Sequence, residues 1–254
     1  MIINQIEWKK RANKITRKYQ HCDYWLDYES VQSYVENPDT VSKHGFYPFI
    51  HKRVIKVKYK KKNGKIYKNY DKYRDIYYAA HIDSWIYRYY GFGLNEKYNL
   101  ELERNDLSNV SIAYRTNLNG KSNIDFANLA FSYIKAIQEN NKSCMVYIGD
   151  FTDFFDNLNH MYLKKRLENL LGVTRLPDDY FAVFKNITQY TYVDLETLVK
   201  FRFHKNTPYY FREINKSSKE QRRIVHLEAF KKNKKRWIKY PKHRNRGIPQ
   251  GSPI

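Results

Sequence analysis

The chain has 254 residues, enough for one large domain or two closely packed ones. Lys and Arg number 47 against 26 Asp and Glu, and a net charge of +21 works against a compact state by self-repulsion unless a polyanion is met. Aromatics make up 17% of residues, which excludes disorder; no apolar run nears the roughly 18 residues of a spanning helix, and the start M-I-I-N-Q-I-E-W-K-K is no signal peptide.

Basic and tyrosine-rich together point to phosphate contacts with base or sugar stacking, so nucleic acid is the leading partner class. Residues 1 to about 37 read as helical. Ile6, Ala12 and Ile15 mark an apolar face, Lys9, Lys10, Arg11, Lys14, Arg17 and Lys18 a charged one, and Asn37-Pro38 ends the segment. From Arg53 to Lys60 the chain alternates, with Ile55, Val57 and Tyr59 on one side and Lys56, Lys58 and Lys60 on the other: a half-buried strand with a cationic outer face. Asn63-Gly64 tolerates positive φ at both positions and predicts a hairpin. The returning strand covers roughly residues 66–78 with Lys68, Lys72 and Arg74. Such a ribbon suits a triphosphate or a template strand, although edge lysines also serve simply to prevent aggregation.

Residues 81–98 read as a helix with Ile82, Trp85, Ile86, Tyr89 and Tyr90 on one face. Ser122 and Asp125 have capping-box spacing, and Ala127, Ala130, Phe131, Ile134 and Ile137 predict a buried helical stripe. Next comes C-M-V-Y-I-G-D-F-T-D-F-F-D-N-L-N-H, residues 144–160. Met145 to Ile148 read as a buried strand that delivers Asp150 to the lip of a cleft. Asp153 and Asp156 predict a helix start that continues through Leu163, Leu167, Leu170 and Leu171. An Asp at a strand-to-helix turn is also a common turn former. Cys22 and Cys144 make neither a disulfide framework nor a metal cluster, so the expected compartment is a reducing cytoplasm.

Pro177 opens a helix with Phe181, Phe184 and Ile187 on one face, and another begins near Asp194 with Leu195, Leu198 and Val199. A third runs from Ser217 to about Asn233, with a Ser217/Glu220 capping box and the face Ile224, Leu227 and Phe230, into the basic run K-K-N-K-K-R at 231–236. The chain closes on R-G-I-P-Q-G-S-P-I, residues 246–254.

Four separated segments in order resemble the reverse transcriptases, in particular the bacterial group II intron, retron and abortive-infection kinds. They are R-D-I-Y-Y-A-A-H-I-D (74–83), Tyr114-Arg115 with Gly120-Lys121-Ser122, G-D-F-T-D-F-F-D-N-L-N-H (149–160), and G-I-P-Q-G-S-P (247–253). The A-Y-R…G-K-S-N-I-D-F-A stretch leans toward the phage-defence branch. The resemblance implies an α+β, right-hand polymerase fold, mostly helical, with a basic β-hairpin and a small antiparallel palm sheet. It divides the chain into a basic helical extension (1–52), fingers (53–143) and a partial palm with inserted fingers helices (144–254).

It also implies RNA-directed DNA synthesis: a primer 3′-hydroxyl attacks the α-phosphate of a dNTP on an RNA template, helped by two Mg²⁺ ions about 3.5–4 Å apart. Asp150 and the Phe151 carbonyl would be metal ligands, with Asp150 the catalytic carboxylate. Lys72 and Arg74 would hold the β- and γ-phosphates. Phe155 would be the steric gate against a 2′-hydroxyl, and Gln250 and Gly251 would lie along the nucleotide. Lys56, Lys58, Lys60, Arg115 and Lys121 would contact nucleic acid. The family's Tyr-x-Asp-Asp hairpin and thumb do not occur in the sequence. The expectation is therefore an N-terminal portion, inactive alone, of a fragment, frameshifted product or split enzyme, completed by a C-terminal polymerase half. The rival expectation is a nucleic-acid-binding module without catalysis.

Overall fold

The computed structural model describes residues 3–16, 19–140, 143–203 and 223–251. Arg17 and Lys18 of the basic face, the Ser217/Glu220 box and Ser252-Pro253 of the last motif lie outside them. The architecture is mixed α and β. Strands β1 (Phe49–Lys62) and β2 (Lys65–Tyr78) form one long antiparallel hairpin, and β3 (Tyr192–Asp194) pairs parallel to the start of β1, giving the order β2-β1-β3. Asn63 and Gly64 turn the hairpin with φ of 50° and 77°, as the sequence requires. The expected small antiparallel palm sheet is corrected: among the described residues the sheet is this mixed one.

The first 37 residues are not one helix. α1 (Gln5–Ala12) is capped by the Asn4 side chain, α2 (Tyr28–Val35) by Asp27, and α3 (Pro38–Ser42) by Asn37, each accepting a backbone N–H. Asn37-Pro38 thus starts a helix, because Pro at the first helical position leaves unmade only a hydrogen bond that has no partner there. Of the expected apolar face, Ala12 is buried and Ile15 packs against the core, but Ile6 is exposed and Trp8 takes the inward place.

The main core joins Trp8, Val31, Val35 and Val41 to Phe49, to Trp85, Ile86, Tyr87 and Tyr90 of α4 (His81–Arg104), and to Val183, Phe184 and Ile187 of α8 (Asp178–Thr188). A second core gathers Ile50, Val193, Ile224 and Leu195, Leu198 and Val199 of α9 (Leu195–Phe203). Phe230 and Trp237 of α10 (Leu227–Trp237) complete it. Phe49 and Ile50 are each 1% exposed. Successive strand residues point to opposite faces, so β1 enters between the two cores and buries one side chain in each.

α5 (Asn123–Glu139) forms with its Ser122/Asp125 capping box intact. The expected buried stripe is corrected: no residue of α5 is buried, and Phe131 is 70% exposed. Capping and spacing are local properties and form the helix, whereas burial needs a second surface. Among the described residues, no helix is long and apolar enough to cross a membrane.

Candidate nucleic-acid interface

Alternation along β1 and cross-strand pairing sort the ribbon into two unlike faces. Lys52, Lys56, Lys58, Lys60 and Lys62 share a face, and Lys72, Arg74, Tyr67 and Lys65 join it as partners of Lys56, Val54, Lys60 and Lys62. Among the described side chains this face carries no carboxylate. Lys56 sits directly opposite Lys72, a like-charge pair that opposes folding and favours a bound anion. Ile55, Val57, Tyr59, Ile66 and Tyr73 occupy the other face, all exposed, which corrects the half-buried reading of β1. Alternation signals two faces; it does not signal that the body of the protein lies under one of them.

The ribbon's root is held by charge. His51 faces Asp194 through Nδ1 (2.8 Å) and Asp75 through Nε2 (2.9 Å), and Arg53 donates to both Asp75 oxygens at 2.8 and 3.3 Å. Lys239 closes the row against Asp194. The Arg53 guanidinium, with help from His51, holds the Asp75 carboxyl below the usual carboxylate range. Burial alone would raise Asp194, but Lys239 and His51 outweigh it and keep that group low as well.

The segment Arg246–Gly251 is strapped across the foot of this ribbon. Gly247 N–H donates to Leu158 O (2.9 Å), Ile248 N–H to Phe155 O (2.9 Å), and Tyr77 N–H of β2 to Gln250 O (2.8 Å). His160, buried, donates from Nε2 to Gly247 O at 2.6 Å. Gly247 and Gly251 have φ of 90° and 97°, and a Cβ at Gly251 would lie 2.8 Å from Ile76 Cγ2. Only glycine fits a backbone so turned and so close to β2. Segment 149–160 and the described part of the last motif, 247–251, are therefore joined in space. Between them and Ile76 lies a cavity of about 310 Å³, lined also by Tyr114, Phe155, Ile187, Ile248 and Gln250.

Of the expected site residues, Phe155, Gln250 and Gly251 line this cavity together. Arg74 and Lys72 are exposed on the cationic face, two and four residues along β2 from Ile76, which is Lys52's partner on that face. Lys56, Lys58 and Lys60 continue outward from there. Arg115 points inward: its guanidinium donates to Asn99 Oδ1 (2.9 Å), Ser108 O (2.6 Å) and Ser111 O (3.0 Å) and closes the loop after α4. Lys121 is exposed, and with Arg115 it lines a separate cavity of about 650 Å³ beside α5. Asp150 and Phe151 are exposed and do not line the cavity at the strap.

The strand expected before Asp150 is corrected. Residues 143–150 have no regular structure, with Met145 75% and Ile148 95% exposed. An apolar run becomes a strand only beside another strand, and among the described residues none of β1, β2 or β3 pairs with this one. The helix expected from Asp153 is also corrected. Asp153 has φ of 50° and caps nothing, α6 (Phe154–Asn157) is a single turn, and α7 (His160–Leu171) starts afresh with Asn159 accepting from Tyr162 N–H. Asn159 bridges to Arg246, which draws the chain out of helix at that point.

Neither spacing nor motif indicated that Ile76, Tyr114 and Ile187 wall this cavity, or that His160 clamps Gly247. Paired glycines flanking Ile-Pro-Gln were the available signal, since glycine is the usual residue where the chain turns through positive φ or passes close to another backbone. A two-ion magnesium site needs several converging oxygens. Among the described residues no group of three or more His, Cys, Asp or Glu side chains converges, so these donors do not by themselves make such a site. No protein-family model matches the chain, and no curated protein matches it.

Proposed function

We propose that this chain is the fingers and part of the palm of an RNA-directed DNA polymerase of the reverse-transcriptase kind, binding template and primer along the cationic ribbon and a dNTP at the strap cavity. The observation that supports it most is continuity. The face bearing Lys56, Lys58, Lys60, Lys72 and Arg74 leads along β2 to Ile76, which is a wall of the cavity containing Phe155 and Gln250. Arg74 and Lys72 lie where a triphosphate leaving the cavity would run, offering charge-assisted hydrogen bonds. The Phe155 ring supplies a hard wall at the sugar, and the backbone of Gln250, pinned to Tyr77, fixes the opposite side. Because the donors present do not complete a magnesium pair, no catalytic step is assigned to this chain alone.

The exposed, unstructured setting of Asp150 favours the second reading, a nucleic-acid-binding module without catalysis. One experiment separates them. With the Tyr-x-Asp-Asp carboxylates supplied from a joined C-terminal segment, Asp150→Asn is expected to abolish dNTP incorporation while leaving primer–template affinity within about twofold, since no phosphate contact is removed. Undiminished incorporation by the variant, or none by the joined wild type, leaves the binding module.

A further inference from the structure

A larger cavity, of about 720 Å³, opens on the other side of α8 from the strap. α8 presents Phe181, Ala182, Lys185, Asn186 and Gln189 to it, positions at helical spacing, while Val183, Phe184 and Ile187 turn into the core. The facing wall is the turn after α3, with Lys43, His44 and Phe46.

This wall is rigid. His44 is fixed at both ring nitrogens, by Asp83 (2.8 Å) and by the Tyr34 hydroxyl (2.9 Å), and Phe46 stacks on Tyr87 with ring centroids 5.6 Å apart and planes within 12°. Asn186 Oδ1 accepts from the Tyr87 hydroxyl, which orients its amide and leaves the amide N–H groups as donors. The rim is cationic: Lys43, Lys185 and Arg175 stand against one carboxylate, Asp178, and that carboxylate pairs with Arg175 at 3.6 Å. Phe181 is half out in solvent beside them.

We infer that this cavity binds a nucleoside phosphate. Lys43 and Lys185 hold the phosphates, the Phe181 ring face stacks on the base, and the amides of Asn186 and Gln189 meet its polar edge. Inorganic phosphate would leave most of such a volume empty, and an apolar ligand would strip water from Lys43 and Lys185 without compensation. The ligand unit is a mononucleotide, from either of two sources: a free nucleotide or the 5′-phosphorylated end of a strand. The inference is independent of the polymerase reading, which uses the cavity on the other side of α8.

The test is calorimetric titration of the full chain with ATP, tripolyphosphate and adenosine. ATP is expected to bind more tightly than either, and Lys43→Ala/Lys185→Ala to weaken it by at least about tenfold, the loss of one charge-assisted hydrogen bond. The matched double variant Lys135→Ala/Lys165→Ala removes equal charge elsewhere and is expected to leave ATP binding in place. Phe181→Ala is expected to abolish the advantage of ATP over tripolyphosphate. All these side chains are exposed, so the fold, followed by circular dichroism, should survive each change. A 5′-phosphate preference among oligonucleotides that Lys43→Ala/Lys185→Ala removes assigns the site to strand ends. ATP binding without that preference assigns it to free nucleotides. ATP affinity unmoved by Lys43→Ala/Lys185→Ala, or equal affinity for tripolyphosphate, overturns the inference.

Discussion

Gly251 shows how much one missing methyl group can decide. Its φ of 97° and the 2.8 Å separation between a built Cβ and Ile76 make alanine both strained and clashing. Gly251→Ala is expected to destabilise the fold by roughly 1–3 kcal/mol from backbone strain alone. Pairing it with Ile76→Ala should relieve the clash but not the strain, and urea titration of the single and double variants measures the two parts. Asp75 yields a prediction in pH. Its carboxyl is held below the ordinary value of 3.8, chiefly by Arg53, so its contribution is present above that value and is lost as pH falls through the lower folded one. Asp75→Asn should therefore lower the melting temperature at pH 6, with the gap to wild type closing below about pH 4. A gap independent of pH would remove the carboxylate from the explanation.

At the scale of elements, the ribbon and α5 show what was legible. Asn63-Gly64, the alternation before it and the Ser122/Asp125 box act through neighbours in sequence, and each gave its element at the expected place. Residues 144–148 had the composition of a strand but no partner strand among the described residues, and α5 had the spacing of a buried helix yet buries none of its residues. Both failures concern the surface that should cover an apolar face, which local pattern does not encode. The helix from Asp153 failed through a long-range bridge, Asn159 to Arg246, equally invisible along the chain. Phe155 and the strap were legible as a pair only through the motifs they belong to. Because α5 lacks buried contacts, its stability rests on its cap: Ser122→Ala should cost about 1 kcal/mol and show as faster amide exchange over residues 123–130. Along the ribbon, replacing Lys56, Lys58 and Lys60 together by Glu should weaken primer–template binding at low salt. It should also flatten the plot of log affinity against log salt by about one unit per lysine. A slope unchanged by the triple variant would move the nucleic acid off this face.

Across the whole molecule, the two cores meet at adjacent residues. Phe49→Ala and Ile50→Ala are each expected to cost about 2–5 kcal/mol, one from each core, and to lower a single shared unfolding transition rather than split it. Two resolved transitions would show that the cores melt separately.

The Tyr77–Gln250 backbone bond has a mechanical meaning at this scale. A long lever, clamped at its base between two packed masses, is tethered near that base to the rim of a small chamber. Any tilt of the lever would pull on that tether and, through it, on the chamber's mouth.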